Sequence, residues 1–518
     1  LGAIAQPGVL KRVGVFADDA GMRRAITRSG AALLLAAFAG AAGAQTRVPD
    51  AAQPMTLEQV VMVAQSQSRA AAQARNRFRS SLWQYRTARA AYLPTLSLQG
   101  NAVDLTRSAS RISLPDGSET FVQQSYVSSG ARVSIGKTVG STGGEVYLES
   151  SLERLHELDR EAPPTYLSRP ISLGFRQPLF VYNPHSWSDR IDPLRLEEAR
   201  REYAEELESI SLSAIQNFFD VLSANDQLEF ARLNVASTES LYTAAQQRAR
   251  SGRAGEDDVL QTELALHNAQ LDLQRSSLEL RDRMYGLRSY LGLQEGDDVR
   301  PVIGFEVPEI EANVESSVKQ ARERRAASIG HDRRLLEARR DVEAARSEGA
   351  RRVDLFASFG LSRLTDDIST IYLPGDEYER ATLGFTIPIL DWGRNRASVR
   401  LAESNAEVTE LSVEQSRLDL EQEVRMKVAR FNVQRERIRL AAKADSVAAR
   451  RYAVAERRFL AGRGDASQLS MVLLEKDSAR RAHVDAVRGY WVALFELRRA
   501  TGYDPTTGMP IPVVEPSD

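Results

Sequence analysis

Two stretches of this chain contain neither glycine nor proline: 58 residues from Leu194 to Ser251 and 68 residues from Arg394 to Ala461. Glycine ends helices through its backbone entropy, and proline through its missing N–H and its ring. Runs rich in Glu, Arg, Gln, Leu and Ala that lack both predict continuous helices. At 1.5 Å per residue these are rods of about 87 and 102 Å, longer than a compact domain can use, so a coiled coil or helical tube is expected. Pro193 suits the first turn of the first rod. A third uninterrupted run, Leu57 to Leu93, opens after Thr56, a suitable N-cap. Along the first rod Leu207, Ile210, Ala214, Phe218, Val221, Asn225 and Leu228 follow steps of three and four, which predicts a narrow seam. The remaining faces carry Glu, Arg and Gln, as helices packed side by side with one wet face would.

The chain also repeats itself. Leu173-Gly174-Phe175 and Pro178 recur as Leu383-Gly384-Phe385 and Pro388, an offset of 210. The same offset carries Arg248 onto Arg458, Gly252 onto Gly462, Arg253 onto Arg463, and Leu291-Gly292 onto Thr501-Gly502. Three separated motifs at one offset indicate a tandem duplication. The leading segments, residues 89–100 and 349–360, correspond at an offset of 260, so the first half carries about 50 extra residues, within roughly 104–168. The boundaries that follow are a first repeat over 45–310, a second over 311–503, and a tail over 504–518.

Between the helices lie alternating segments. Leu383, Phe385, Ile387 and Ile389 alternate with Thr382, Gly384 and Thr386, and Ile171, Leu173, Phe175 and Leu179 with Ser172, Gly174 and Arg176. Leu96 and Leu98 alternate with Thr95, Ser97 and Gln99, and Leu355, Ala357 and Phe359 with Ser358 and Gly360. Such strands suit a transmembrane barrel or a half-buried soluble sheet, and alternation alone does not separate them. Export and the absence of a spanning helix favour the barrel. Residues 121–137 and 145–155, around the turn signal Ser141-Thr142-Gly143-Gly144, fit either two further strands or an enlarged loop.

The export argument starts at Met22. Arg23, Arg24 and Arg28 precede a short apolar run, Ala31 to Ala39, and Ala42-Gly43-Ala44 gives the small-x-small cleavage pattern. Processing after Ala44 would leave Gln45 first, and residues 1–21 precede a natural start. The run is well short of the roughly 20 residues a spanning helix needs. The chain has no cysteine, which excludes disulfides, thiolate metal sites and a lipoprotein anchor. A formal charge of -2 argues against nucleic acid as a partner. His156, His185, His267, His331 and His483 are scattered, none at metal-ligand spacing. Gly136-Lys137-Thr138 lacks the leading glycine of a phosphate loop, because position 131 is Ala131. No catalytic arrangement and no cofactor motif stands out, so a non-enzyme is expected.

The order and duplication of MTLEQVVMVA, RAAYLPTLSLQG, LGFRQPLF, LGFTIPILDWG, RARSGRAGEDDVL and RRFLAGRGDASQL resemble the TolC-like outer-membrane efflux proteins across residues 55 to about 503. The resemblance implies a mixed α and β membrane protein: an antiparallel transmembrane β-barrel continued by a long α-helical periplasmic tunnel. It implies a homotrimer, usually with four strands from each subunit and twelve in the barrel, set in outer-membrane lipid with its helices in the periplasm. The implied role is a passive exit duct for efflux or type I secretion, working with an inner-membrane transporter and a periplasmic adaptor. It places the periplasmic aperture at the helix-turn tips, here Arg248, Gly252, Arg253, Asp257 and Asp258, with Arg458, Gly462, Arg463, Asp465, Gln468 and Met471. Gln468 and Met471 stand where the best-known member has acids, a departure from the family's cation-binding ring. Arg253 and Arg463 either latch the tip against Asp257, Asp258 or Asp465, or are ordinary solvated charge. A periplasmic adaptor or a secreted coiled-coil scaffold is the alternative, and the repeated hairpin and the strands disfavour both.

Overall fold

The computed structural model describes residues 53–113, 117–159, 162–252, 255–294, 299–302, 304, 307–460 and 466–512. The chain divides into residues 1–53 and 54–518, and the account below concerns the second unit. The expected signal segment and its cleavage site after Ala44 lie outside the described residues.

Each half begins with a short helix, a one-residue break and a longer helix. In the first half α1 (Leu57–Gln67) is followed by α2 (Arg69–Ala90), so the expected single helix over 57–93 is interrupted at Ser68. Ser68 is extended (φ -62°, ψ 151°) and its hydroxyl accepts from the Ala71 N–H at 3.0 Å, an N-cap that stops one helix and starts the next. Four strands follow: β1 (Thr95–Ser113), β2 (Glu119–Val139), β3 (Gly144–Glu157) and β4 (Thr165–Leu179). Then come α3 (Pro184–Arg250) and α4 (Glu256–Leu291).

The second half repeats this order with α5 (Val314–Arg324), a break at Arg325, α6 (Ala326–Glu348), β5 (Arg352–Thr365), β6 (Asp376–Thr386), α7 (Arg394–Leu460) and α8 (Ala466–Thr501). The lengths match closely. The short pairs have 11 and 22 residues in one half and 11 and 23 in the other, while the long hairpins have 67 and 36 in both. Each 67-residue helix is a rod of about 100 Å.

Helix α3 starts ten residues before the expected Leu194, which places Pro193 inside the helix. Asn183 and Pro184 supply the start: the Asn183 side chain accepts from the His185 N–H at 3.0 Å, and Pro184 at N1 has no N–H to lose. Burial of Trp187 and Ile191 in the added turns offsets the hydrogen bond that Pro193 cannot make. The seam on α3 is also wider than expected. Ser211, Leu212, Ile215, Phe219 and Ala224 are buried as well as Ile210, Ala214, Phe218, Val221 and Leu228, because α1, α2, α4, α6 and α8 all pack against this helix.

The short helices end where the hairpins end. Gly292, which closes α4 at φ +74°, stands so near the Gln67 carbonyl that a Cβ there would lie 3.2 Å from it. Gly502 follows α8 at φ +64° and stands in the same way against Arg324. One apolar cluster, including Phe218, Phe219, Phe431, Tyr490, Leu494 and Leu497, fills this level. Phe431 and Tyr490 have ring centroids 5.4 Å apart. The Tyr490 hydroxyl donates to the Pro308 carbonyl at 2.9 Å, and burial pushes its pKa up to about 12. The Asn432 amide exchanges two hydrogen bonds with the Ala312 backbone, at 3.0 and 2.9 Å, fixing the connector between the halves.

These six strands form one antiparallel sheet in the order β1-β2-β3-β4-β5-β6. The first-half extra segment is therefore a hairpin of two strands, which decides between the two readings its sequence left open. Lys137 lies within β2, so the Gly136-Lys137-Thr138 triplet opens no helix. Strand β6 ends at Thr386, leaving Ile387, Pro388 and Ile389 beyond it. Pro178, by contrast, lies in β4 opposite Asp354.

Tyr490→Phe should lower stability by about 1 kcal/mol, the worth of one buried hydrogen bond. Phe431→Ala should cost about 3–5 kcal/mol through the cavity it leaves. Denaturant midpoints of the purified protein would measure both, and a Phe431→Ala midpoint equal to wild type would contradict the placement of this core.

Candidate functional site: the helix turns and the two faces of the sheet

The first helical turn joins α3 to α4. Arg248 lies in the last turn of α3, and its carbonyl accepts from the Ser251 hydroxyl at 2.9 Å. Gly252 then takes φ +67°, which favours glycine, and its N–H donates to the Ala249 carbonyl at 3.0 Å. Glu256, Asp257 and Asp258 occupy the first turn of α4, where negative charge complements the helix dipole. The Asp258 carboxylate accepts from the Gly255 N–H at 3.2 Å, so this acid caps its own helix. Arg253 lies outside the described residues.

At the second turn Gly462, Arg463 and Asp465 lie outside the described residues. On either side of them, Arg458 of α7 and Gln468 of α8 line a cleft of 490 Å³ together with Val454, Leu469 and Val472. Met471 is exposed. Sequence reasoning missed the charges behind this turn. Arg451 pairs with Glu475, the Tyr452 hydroxyl donates to Glu456 at 3.1 Å, and the Lys476 ammonium stands 4.5 Å from the Tyr452 ring centroid. Arg480 reaches Asp226 of α3 at 3.2 Å and Asp445 of α7 at 3.7 Å, tying the two hairpins together. Only the spacing of these residues along separate helices could have signalled the pairs, and each helix alone reads as a solvated face.

At the sheet, register fixes which side chains share a face. Leu96 stands opposite Ile135, Ile135 opposite Leu148, Leu148 opposite Leu173, and Leu173 opposite Phe359. This row crosses five strands, and every member is between 40% and 70% exposed. Phe175 of β4 shares that face, as do Leu383 and Phe385 of β6, opposite Leu355 and Val353.

The other face is polar. Ser97 and Ser134 hydroxyls are 2.9 Å apart, Arg132 reaches Glu149 at 3.8 Å, and Arg176 reaches Glu145 at 3.5 Å. The Arg169 guanidinium stands 5.3 Å from the Tyr378 ring centroid. Gly174 and Gly384 occupy equivalent places in the repeat but do different work. A Cβ on Gly174 would fall 2.1 Å from the Tyr147 ring, whereas one on Gly384 would meet only the Asp354 carbonyl, at 3.8 Å. Gly174→Ala should therefore reduce the heat resistance of the assembled protein by displacing Tyr147, and Gly384→Ala should change it little. Adding Tyr147→Ala should restore the Gly174→Ala variant, and equal melting of the two single variants would refute the close packing.

The chain matches the Outer membrane efflux protein family over residues 60–293 and 333–503. No curated protein sequence matches it. Among solved structures it is similar to the CmeC outer membrane channel of Campylobacter jejuni, at 15% identity over 89% of this chain and 87% of that one, with a TM-score of 0.63. It is also similar to the outer membrane protein VceC of Vibrio cholerae, at 14% identity over 86% and 96%, with a TM-score of 0.61. The open MtrE channel of Neisseria gonorrhoeae is 16% identical over 86% and 88%, with a TM-score of 0.52. At these identities the likeness shows a shared fold, the TolC-like arrangement of helical hairpins and strands.

Proposed function

The chain belongs to the outer membrane efflux protein family, and on that footing we propose that it is one subunit of a homotrimeric outer-membrane channel, a passive exit duct for efflux or type I secretion. The observation that carries this reading is the sheet, with an exposed apolar row on one face and paired charges on the other. A contiguous exposed apolar surface is unfavourable in water and is what a lipid-facing wall requires. No helix among the described residues is long and apolar enough to cross a membrane, so the strands are the elements suited to crossing. No described strand covers the outer edges of β1 and β6. Open edges are not tolerated in lipid, and pairing β6 of one copy with β1 of the next closes a ring.

In this reading the polar face lines the lumen of the barrel, and α3, α4, α7 and α8 continue it into the periplasm of a Gram-negative-type bacterium as a tunnel. The turns at Gly252 and Gly462 close the far end. An inner-membrane transporter supplies the energy, and a periplasmic adaptor docks on the hairpins. The two repeats span 45–310 and 311–503, residues 504–518 form a tail, and the mature chain starts at Gln45 after export. A periplasmic adaptor or a coiled-coil scaffold has no use for an apolar row across five strands.

Fractionation tests the whole proposal: the protein should co-sediment with outer membrane, require detergent for extraction, and begin at Gln45 on amino-terminal sequencing. Recovery in the soluble periplasmic fraction would refute it.

The tips carry a separate expectation. Arg253→Glu combined with Arg463→Glu adds repulsion against Asp257, Asp258 and Asp465 in all three subunits. Each exposed pair is worth only about 0–1 kcal/mol, but the trimer multiplies it. Planar-bilayer conductance of the purified variant should exceed wild type, most clearly in low salt. Unchanged conductance in both low and high salt would assign these arginines to adaptor docking instead of closure.

A further inference from the structure

The two halves of the duplication match helix for helix, yet the second contributes two strands to the sheet and the first contributes four. We propose that the hairpin β2–β3 is a built-in part of the membrane wall, so that three copies close an eighteen-stranded barrel wider than the twelve strands that two strands per half would give. The proposal rests on the channel reading above.

The hairpin sits inside the sheet, not at its margin. Strand β2 is paired with β1 from Thr95↔Gly136 onward, and β3 is paired with β4 from Glu145↔Arg176 to Leu155↔Thr165. Its outward side chains Val133, Ile135, Val146 and Leu148 are exposed, and Ile135 and Leu148 carry the apolar row across the hairpin from Leu96 to Leu173, with Lys137 and Ser150 on the rows to either side. Its inward side chains interlock with the neighbouring strand: Tyr147 lies over Gly174, and Glu145 pairs with Arg176. A hairpin bound for solvent would need neither an apolar face nor a glycine that makes room for its tyrosine.

The turn of the hairpin is also tied down. The Asn183 amide donates to the Gly140 carbonyl at 2.8 Å, and the Gln177 amide to the Thr142 carbonyl at 2.8 Å. Tyr92 packs so closely on Gly140 that a Cβ there would stand 3.2 Å from the ring. These ties join the turn of the hairpin to the start of α3 and the end of β4.

The stagger of the sheet suits closure at this size. Following the register from Thr95 through Gly136, Tyr147, Gly174 and Ser358 leads to Arg380, six residues short of the end of β6 at Thr386. That is close to one residue of slip per strand. With about 3.3 Å per residue along a strand and about 4.8 Å between strands, the strands tilt by roughly 35°, within the range of membrane barrels. At equal tilt, diameter grows roughly linearly with strand number, so eighteen strands give a mouth about half again as wide as twelve. The helices gain no matching elements, since each half still supplies one long hairpin. The duct therefore flares where helix gives way to strand.

Electron cryomicroscopy of the detergent-extracted trimer counts the strands directly, and eighteen are expected. A trimer with twelve strands and the hairpin projecting from the wall overturns this proposal alone and leaves the channel standing. An assembly with no barrel overturns both.

The cysteine-free chain permits a second measurement. Leu148→Cys with Leu173→Cys should cross-link within one chain on oxidation, because β3 and β4 are neighbours in register. Leu96→Cys with Leu173→Cys should not, because two strands lie between them and hold them about 14 Å apart. The reverse pattern of cross-links would mean that β1 pairs directly with β4, and the proposal would fail.

Discussion

Helix α3 belongs to the first half of the duplication and α8 to the second, and their packing is the joint on which the rest of the molecule depends. Three ion pairs are spaced along it: Arg498 with Glu208 at 3.1 Å, Arg488 with Asp220 at 2.8 Å, and Arg480 with Asp226 at 3.2 Å. The Glu208 side chain is only 3% exposed, so its carboxylate has lost nearly all contact with water. Burial pushes its pKa up, and Arg498 opposes that shift. A buried pair of this kind adds little net stability, but losing one partner costs about 3–5 kcal/mol. It acts as a register pin. If α8 slid along α3, Glu208 would be left buried and uncompensated, so the two hairpins hold one alignment.

Much of this architecture was legible in the sequence because it follows from what glycine and proline forbid. The uninterrupted helix from Arg394, the repeated Leu-Gly-Phe strands and the turn at Gly252 were all read correctly from residue type and offset. The misses share a different cause. Ser68 breaks the expected 57–93 helix with a residue that is tolerated inside helices, and the corresponding break at Arg325, where no helix bounds were read, depends on a partner far along the chain. Glu205 of α3 accepts from the Ala326 N–H at 2.8 Å and from the Arg325 guanidinium at 3.1 Å. No local pattern contains that information. The early start of α3 was missed for the opposite reason: Pro193 is a strong local signal that Trp187 and Ile191 override by tertiary burial.

The functional surfaces divide in the same way. Alternation showed which strand residues face together, but not how many strands stand side by side, since a hairpin and a long polar loop share a composition. Tyr147 over Gly174 decides that point, and it is visible only once β3 and β4 are in register. At the helical turns Asp258 was singled out for its charge, whereas its contact is with the Gly255 N–H. That acid is as much a helix cap as a member of any aperture.

The breaks at Ser68 and Arg325 carry a mechanical consequence. Gly292 ends α4 beside Gln67, and Gly502 follows α8 beside Arg324, so both shorter hairpin arms stop at the level where the short helix pairs are interrupted. Among the described residues only α3 and α7 pass through that level with an unbroken ladder of backbone hydrogen bonds. The resistance of each subunit to bending there comes from two rods, while above and below it comes from more. A load applied at the turns concentrates its strain at this one cross-section, much as a beam yields first where its section is thinnest.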